Sequence, residues 1–301
     1  MELRHLRYFV AIAEAGTVSA AAARLHLTQP VLSRQLGKLE RELGVALFDR
    51  SGRRLEVTAT GQALLPLARD VLGRADALRV AAGFFAHGRL ERLTIGAPTV
   101  TLTDVVAPFI ATLEPDDPDV DVLGADGSTP AEALRLGADL AIGTVQPQDP
   151  YRSQPLAVLP VWAYVPPGHP WAALPVVPLA ELVRAPLIGM PPTFTSRQSL
   201  DAAVVEAGAT YRSLTEAANG TVAQALAAAG RGIAVASDDP RFGLVPLGID
   251  LGGRRLSIRL VAAWDSRHAA AATLADFADR LGAFVRDRYA FLGTPSGDTR
   301  S

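Results

Sequence analysis

The 301-residue sequence contains no cysteine, a single lysine against 28 arginines, and no run of 18 consecutive apolar residues. The absence of cysteine excludes a disulfide framework and a thiol nucleophile. The absence of a long apolar run and of a basic-then-apolar N-terminal leader argues against a membrane-spanning helix and against export. We therefore expect a soluble, cytoplasmic protein that has no membrane partner.

The chain has a nearly neutral overall charge but an uneven charge distribution. The formal net charge of the whole chain is −2, which alone would not suggest nucleic acid. Residues 1–60 contain nine basic and six acidic residues, a net charge of +3, whereas the remainder carries 20 basic and 25 acidic residues. At 301 residues, 49% of them hydrophobic, the chain is too long for one core and predicts two or three compact units. The positive net charge of residues 1–60, against the negative net charge of the remainder, indicates an N-terminal unit with an acidic partner.

Residues 28–44, TQPVLSRQLGKLERELG, predict a helix with one buried face. Thr28 is a plausible N-cap whose hydroxyl would accept a bond from the first turn. Pro30 falls in that turn, where no backbone N–H is required, and Gly44 can end the helix. The apolar positions recur at helical spacing and form one stripe: Leu32, Leu36, Leu39 and Leu43.

The opposite face of this helix is polar and basic, and its longest side chains are concentrated near the N-terminus. An ordinary solvated helix face would carry similar residues, so this helix alone leaves both interpretations open. Two amphipathic helices precede it, at residues 3–14 and 17–25, and Thr17 can cap the second. Only HLT separates this second helix from the quoted helix. This spacing is typical of a helix-turn-helix, in which the second helix enters the major groove of DNA and its N-terminal residues contact base edges.

Two short strands, 46–48 and 55–58, follow this helix and flank a Ser51-Gly52 turn. Arginines at the turn suit the narrow minor groove and its phosphates, so the hairpin is interpreted as a wing, although a solvated hairpin tip would also be basic. The domain boundary is placed at residues 1–59, and double-stranded DNA is the expected partner. The candidate DNA-binding residues are Thr28, Gln29, Pro30, Ser33, Arg34, Arg50, Arg53 and Arg54.

Residues 60–88 predict one long helix whose apolar residues recur every three or four positions. Such a seam over about four heptads favours helix–helix pairing. Nothing nearby in the sequence looks long enough to cover it within one subunit, so we expect a homodimer. Packing of the helix on its own domain is the alternative. The seam consists of Leu64, Leu65, Ala68, Val71, Leu72, Ala75, Leu78, Ala82 and Phe85.

From residue 91 the sequence alternates between short apolar runs and amphipathic helices, which predicts twisted, mostly parallel sheets. We expect two lobes, one from 91–161 with 267–291 and one from 162–266. The chain would cross between them near 160–163 and near 262–267. Residues 292–301 are predicted to be a frayed tail.

Hydroxyl-bearing loops follow several of the predicted strands. In open α/β sheets, ligands bind at the carboxyl ends of strands, close to helix N-termini. Four such loops in one crevice would suit a small polar or anionic effector, although each Ser or Thr alone is as well explained by N-capping. The candidate effector-binding residues are Pro98, Thr99, Thr101, Ser128, Thr129, Thr195, Ser196, Asn219 and Thr221.

The first sixty residues resemble the N-terminal domain of the LysR-type transcriptional regulators. The most specific segments are AAARLHLTQPVLSRQLGKLERELGVALFDR and LEVTATG, and a weaker resemblance extends to about residue 290. The resemblance implies an α/β protein with a winged helix-turn-helix, a long dimerising linker helix and a two-lobed, periplasmic-binding-protein-like effector domain. It also implies a small-molecule effector between the lobes and a dimer of dimers. Two departures affect the inherited ligand contacts, since GSTPAEALRLGADLAI is about one turn short and the family's common serine is missing from PTVTLT.

Catalytic interpretations find little support. The five histidines share no metal-ligand spacing, and no G-x-S-x-G elbow occurs. AGRGIAV lacks the third glycine of a dinucleotide fingerprint. We therefore expect no catalytic residues, no metal and no cofactor other than the effector. The rival hypothesis is a cytoplasmic small-molecule-binding protein or an α/β enzyme that carries a helix-turn-helix appendage.

Overall fold

The computed structural model describes residues 1–49 and 55–293, and its N-terminal unit is a three-helix domain followed by a short two-stranded sheet. The Thr17 hydroxyl accepts a hydrogen bond of 3.1 Å from the Ala20 amide and caps the second helix, as predicted. The elements are α1 (Leu3–Ala15), α2 (Val18–Arg24), α3 (Gln29–Leu43), β1 (Phe48–Asp49) and β2 (Glu56–Val57).

Helix α3 has the predicted bounds, with two local differences. Thr28 occupies the N-cap position. Its side chain is exposed and, among the described residues, accepts no hydrogen bond from an amide of the first turn of α3. Leu32, Leu36 and Leu39 are buried in the domain core. Leu43, predicted on the same stripe, is 38% exposed because the helix ends at this residue. The wing strands are antiparallel, with Phe48 opposite Val57.

Helix α4 (Ala59–His87) is continuous through Pro66 and begins at a Thr58 cap, whose hydroxyl accepts a bond of 2.9 Å from the Gly61 amide. The first part of the predicted dimer seam is covered within the subunit, which corrects the expectation that nothing nearby could cover it. Helix α1 lies against α4, and four seam residues pack into the N-terminal core: Leu64, Leu65, Ala68 and Leu72. A second stripe stays exposed and consists of Leu67, Val71, Leu78 and Phe85.

The rest of the chain forms two α/β lobes. Their strands are β3 (Arg92–Ala97), β4 (Asp119–Gly124), β5 (Leu140–Gly143), β6 (Tyr151–Pro160), β7 (Trp162–Val165), β8 (Val176–Pro178), β9 (Pro186–Gly189), β10 (Ser213–Glu216), β11 (Ile233–Ala236), β12 (Val245–Asp250) and β13 (Ser257–Asp265). Their helices are α5 (Thr99–Thr101), which continues through a π-helical turn (Leu102–Val106) into α6 (Ala107–Ile110), then α7 (Pro130–Arg135), α8 (Leu179–Leu182), α9 (Thr195–Glu206), α10 (Gly220–Ala228) and α11 (Ala271–Gly293).

Lobe 1 contains the sheet β4-β3-β5-β13-β6, and lobe 2 contains the sheet β10-β9-β11-β7-β12-β8. Both sheets are mixed, whereas the sequence predicted mostly parallel ones. Strand β13 runs antiparallel to β5 and β6, and β7 runs antiparallel to β11 and β12. The reason is that β13 and β7 each enter their sheet from the other lobe, without a crossover helix on the same sheet.

The two crossovers between lobes lie at Val161 and within 251–256. The first agrees with the predicted position. The second corrects the expected 262–267, because the whole of β13 pairs with β5 and β6 of lobe 1. Lobe 2 therefore ends near residue 256 rather than 266. Helix α11 extends to Gly293, two residues into the predicted tail of 292–301, and residues 294–301 lie outside the described residues.

Candidate DNA-binding surface and interlobe cleft

The N-terminal turn of α3 is presented to solvent. Thr28, Gln29, Pro30 and Arg34 are exposed, and Ser33 is half-buried beside them. The guanidinium of Arg34 forms no ion pair or hydrogen bond with any residue in 1–49 or 55–293, so its five donors are available to a ligand. The structure thus brings together the five predicted DNA-binding residues of this helix.

The turn between α2 and α3 is short because His26 adopts the left-handed conformation, with a φ of 53°. The amide of Leu27 donates back to the Ala22 carbonyl at 2.8 Å and closes the turn. This geometry fixes the angle at which the first turn of α3 projects from the domain. It is the arrangement by which a helix-turn-helix presents its second helix.

The base of the wing is tied to α3 through Glu40. Its Oε1 atom accepts hydrogen bonds from the amides of Leu47 at 2.9 Å and Phe48 at 3.3 Å. Phe48 then packs edge-on against Phe9 in the domain core, at a centroid distance of 5.7 Å. The wing strands are therefore held in a fixed position beside α3. The three predicted contacts at its tip, Arg50, Arg53 and Arg54, lie outside the described residues.

A cavity of about 290 Å³ lies between the two lobes. The Thr144 and Thr195 hydroxyls approach to 3.3 Å across the gap between lobes. Its walls combine hydroxyl, carboxylate and apolar groups. The lining residues are Pro98, Val100, Thr101, Asp126, Gly127, Ser128, Thr129, Pro130, Gly143, Thr144, Val145, Thr193, Phe194, Thr195, Ser196, Gln198, Ser237, Asp238, Ile258 and Leu260.

Six of the nine predicted effector-binding residues line this cavity: Pro98, Thr101, Ser128, Thr129, Thr195 and Ser196. The other three lie outside its lining and are engaged elsewhere. The Thr99 amide and hydroxyl donate to the Asp126 carboxylate. The Asn219 side chain caps α10 by accepting from the Val222 amide, and the Thr221 hydroxyl accepts from Arg241.

Sequence reasoning missed several polar residues in the lining. Thr144 directly follows β5, and Ser237 and Asp238 directly follow β11. The rule that ligand groups follow strand ends would have identified all three, had it been applied to every strand and not only to strands followed by several hydroxyls. Asp126 also follows β4 and reaches the cavity as a carboxylate.

Beside the cavity, a network of charged groups links the lobes. Arg241 of lobe 2 donates to Asp104 of lobe 1 at 2.7 Å, and the Asp239 amide donates to the same carboxylate at 2.9 Å. Arg288 and Tyr289 of α11 both donate to the Asp239 carboxylate, at 2.7 and 2.8 Å. Contacts from both lobes therefore meet around Asp104 and Asp239.

Burial governs the protonation of this network. Desolvation raises the pKa of Asp104, against the opposing effects of the Asp239 amide and Arg241. Desolvation, with the nearby Asp104 charge, raises the pKa of Asp238 to about 6. The buried Tyr164 hydroxyl donates to the Asp238 carbonyl, and desolvation raises the pKa of Tyr164 as well.

Across residues 1–49 and 55–293, no cluster of three or more His, Asp or Glu side chains could hold a metal ion.

The described part of the chain contains no helix that is both long and apolar enough to cross a membrane.

Comparisons with known proteins agree with the architecture. Among solved structures, CbnR, a LysR family transcriptional regulator, has a TM-score of 0.67 at 23% identity, over 94% of this chain and 99% of that chain. A full-length OxyR variant from Pseudomonas aeruginosa has a TM-score of 0.62 at 23% identity, over 93% and 94% of the two chains. At these identities the likeness shows a shared fold.

Curated relatives match parts of the chain. The uncharacterized HTH-type transcriptional regulator YnfL of Escherichia coli is 34% identical over 197 residues, which cover 64% of this chain and 66% of the relative. The HTH-type transcriptional regulator TfdT of Cupriavidus pinatubonensis is 42% identical over 116 residues, which cover 37% and 51% of the two chains. The chain thus spans less than two thirds of the length of these relatives. Both are named as regulators rather than as enzymes.

Two family models together match most of the chain. Residues 3–62 match the bacterial regulatory helix-turn-helix protein, lysR family, and residues 86–286 match the LysR substrate binding domain. The boundary between the two matches falls within α4, between the N-terminal domain and the lobes. The chain belongs to the LysR family of bacterial transcriptional regulators.

Proposed function

We propose that this protein binds double-stranded DNA as a transcriptional regulator and that a small polar molecule held between its lobes modulates that binding. The observation that carries the DNA-binding role is the exposed face of the first two turns of α3, where Arg34 is exposed and has no ion partner among the described residues. An arginine in this position can donate two hydrogen bonds to a guanine edge. Such a regulator acts in the cytoplasm, where its DNA is.

The proposed assembly is a dimer through α4, with a dimer of dimers as its larger form. The exposed residues Leu67, Val71, Leu78 and Phe85 are spaced by four, seven and seven positions, which places them on one face of the helix. A dimer formed along this face would set the distance between two copies of α3. Two half-sites on DNA, one helical turn or a multiple of it apart, would match that distance.

The proposed effector site is the interlobe cavity. Residues from both lobes line it, so a ligand that contacts both can favour one relative arrangement of the lobes. Coupling of this kind is typically about 1–3 kcal/mol, which changes DNA occupancy several-fold. The ligand-binding residues are proposed to be the hydroxyls of Thr101, Ser128, Thr195 and Ser196, whereas the Thr129 hydroxyl is engaged in the capping box of α7.

Substitution of Arg34 tests the DNA-binding role. The full chain would be titrated, by fluorescence anisotropy, with a footprinted fragment that flanks its own gene and with a scrambled fragment of equal length. Arg34→Ala is expected to cost about 1–3 kcal/mol on the specific fragment and much less on the scrambled one. Arg41→Ala is the control, because Arg41 lies in the last turn of α3 and donates to the Gly37 carbonyl. Equal effects of the two substitutions would contradict the proposed role of α3.

A further inference from the structure

The charges around the interlobe cavity narrow the chemistry of its ligand. Two carboxylates, Asp126 and Asp238, are among its lining residues, and no described lining residue is Lys, Arg or His. Two guanidinium groups of lobe 2 are already paired, since Arg241 binds Asp104 and Arg197, next to Ser196 in the chain, binds Asp201 at 2.9 Å. A simple anion would therefore meet carboxylates in this cavity and no free cation.

Asp238 is the carboxylate that lacks a partner. The residue is 92% buried, with 8% exposure, yet it lines the cavity. Apart from a hydrogen bond with its own amide, its carboxylate has no hydrogen-bond partner among the described residues. The carboxylate lies against the Cα of Gly220, where an added Cβ would be only 2.1 Å from it. A buried carboxylate left in this state favours a ligand that brings a cation with N–H donors.

The N-terminus of α9, on the same cavity wall, favours a ligand group of the opposite charge, namely an anion or another hydrogen-bond acceptor. No described side chain caps the N-terminus of this 12-residue helix, and Phe194, Thr195 and Ser196 line the cavity there. Ser196 is 5% exposed, and its hydroxyl makes no hydrogen bond with any residue that the structure describes. Free amides of a first turn, together with a buried hydroxyl, favour a carboxylate or another acceptor.

The other helix N-termini around the cleft are already satisfied by the protein. The Asp126 carboxylate accepts from the Thr99 amide and hydroxyl and so takes the place of an anionic ligand in lobe 1. Thr129 and Glu132 form a reciprocal capping box on α7. Asn219 caps α10. Among these described helices, α9 is the one whose first turn remains open to an acceptor from the ligand.

We propose that the effector is a small amino-acid-like zwitterion whose ammonium group binds the Asp238 carboxylate and whose carboxylate binds the first turn of α9 at Ser196. This inference rests on the proposed effector role of the cavity and specifies the ligand class for it. It narrows the polar or anionic effector expected from the sequence to a molecule that carries both charges. The cavity volume of about 290 Å³ limits the ligand to a compact one.

The remaining walls indicate the body of the ligand. Val145, Phe194, Ile258 and Leu260 are apolar lining residues, so a hydrocarbon or aromatic side group can be buried between the charged ends. A purely hydrophilic zwitterion would leave these walls without a partner. Amino acids with aliphatic or aromatic side chains therefore fit the lining better than acidic ones, which would bring a second carboxylate toward Asp126 and Asp238.

Matched probes can separate the contributions of the ligand's ammonium group and carboxylate to binding. Each set shares one side group and contains the amino acid, its decarboxylated amine and its deaminated acid. Examples are L-phenylalanine with 2-phenylethylamine and 3-phenylpropionate, and L-leucine with 3-methylbutylamine and 4-methylpentanoate. Thermal unfolding of the full chain at millimolar probe would identify binders, and calorimetric titration would measure their Kd. At least one amino acid in this panel is expected to bind at least about tenfold more tightly than its amine and its acid.

The variants Asp238→Asn and Ser196→Ala locate the two contacts. Asp238→Asn is expected to weaken the bound amino acid by about tenfold or more, and Ser196→Ala by several-fold. Asp116→Asn makes the same charge change at an exposed position outside the cavity lining and should leave the Kd unchanged. Equal Kd values for Asp238→Asn and Asp116→Asn would overturn the proposal, as would a panel in which no amino acid binds.

Two further outcomes distinguish this proposal from the proposed function. An acid that binds as tightly as its amino acid, and loses binding in Thr195→Val, would overturn the zwitterion while leaving the cavity as the effector site. An amino acid that binds through Asp238 but leaves the affinity for the own-gene fragment unchanged would support the ligand class and overturn the effector role.

Discussion

Arg241 of lobe 2 donates a hydrogen bond of 2.7 Å to the Asp104 carboxylate of lobe 1. Asp104 is 6% exposed, and the Arg241 side chain is 26% exposed. The same carboxylate accepts from the Asp239 amide, so one buried group of lobe 1 receives two donors from the β11–β12 segment of lobe 2. Any motion that separates the lobes at this point must leave these groups without partners.

Removal of the Asp104 carboxylate is expected to destabilise the chain. Asp104→Ala leaves the Arg241 guanidinium and the Asp239 amide unpaired, which should lower the free energy of unfolding by about 2–4 kcal/mol, less than for a fully buried pair because Arg241 is partly exposed. Urea denaturation measures this change. Arg254→Ala, which breaks the exposed pair with Glu206 at 2.9 Å, should cost less than about 1 kcal/mol. Similar losses in the two variants would show that the interlobe pair behaves as a surface contact.

The parts of the fold that the sequence predicted are those set by local signals. The bounds of α3, the Thr17 cap and the first lobe crossover each depend on residues close together in the chain. The Asp104–Arg241 pair joins residues 137 positions apart, and neither residue has a local feature that points to the other. The second crossover was misplaced for a related reason. Strand β13 is apolar enough to fit either sheet, and only its pairing partners decide the lobe.

The cleft was predicted in part. Six of the nine expected residues line it, because hydroxyls after strand ends do converge there. Asn219 and Thr221 face other partners, because capping and the Arg241 contact use the same polar atoms that a ligand would need. The periodicity of α4 likewise could not predict that α1 covers Leu64 and Leu72. The covered stripe and the exposed stripe of this helix both have helical spacing.

Gly61 is a position where the wing and α4 are in close contact. A Cβ at this residue would lie 2.3 Å from the Leu47 carbonyl oxygen and 2.8 Å from a Val57 methyl group. Gly61→Ala should therefore lower the free energy of unfolding by about 1–3 kcal/mol and displace the wing strands. Chemical denaturation measures the loss, and amide exchange of the wing locates it.

Gly37→Ala is the matched control for this substitution. No atom of residues 1–49 or 55–293 lies within 4 Å of a Cβ added to Gly37, which is in the middle of α3. Alanine at such a helical position should raise the stability by about 0.5–1 kcal/mol. If Gly61→Ala were also stabilising, the close approach of Leu47 to α4 would not exist in solution.

Leu78 tests the proposed dimer face. This side chain is 71% exposed and lies on the stripe with Val71 and Phe85. Leu78→Asp would place a charge in the paired face, so the sedimentation coefficient should fall to that of a monomer at micromolar concentration. Leu136→Asp is the control, because Leu136 is also an exposed leucine but follows α7 in lobe 1. A wild-type sedimentation coefficient for Leu78→Asp would exclude this stripe from the interface.

Asp238 should make stability fall as pH rises. Its pKa is raised to about 6 by burial and by the Asp104 and Asp239 charges, and Arg241 opposes this effect. Between the ordinary carboxyl pKa of 3.8 and about 6, the folded chain binds more protons at this residue than the unfolded chain does. The contribution of Asp238 to the free energy of unfolding is therefore largest at acidic pH. It should fall by up to about 3 kcal/mol between pH 4 and 7.

Asp238→Asn isolates this effect, because asparagine stays neutral at every pH, like the protonated carboxyl. The variant should be more stable than the wild type at pH 7.5, by about 1–3 kcal/mol, and the difference should shrink toward pH 4.5. Urea denaturation at both pH values measures it. Work below pH 4 is avoided because Arg280 lowers the pKa of Asp117 to about 2, so the contribution of Asp117 to the free energy of unfolding is lost progressively between pH 4 and 2. A stability difference that is independent of pH would mean that the Asp238 carboxyl keeps its ordinary pKa, and the cavity would then offer a solvated carboxylate rather than a buried one.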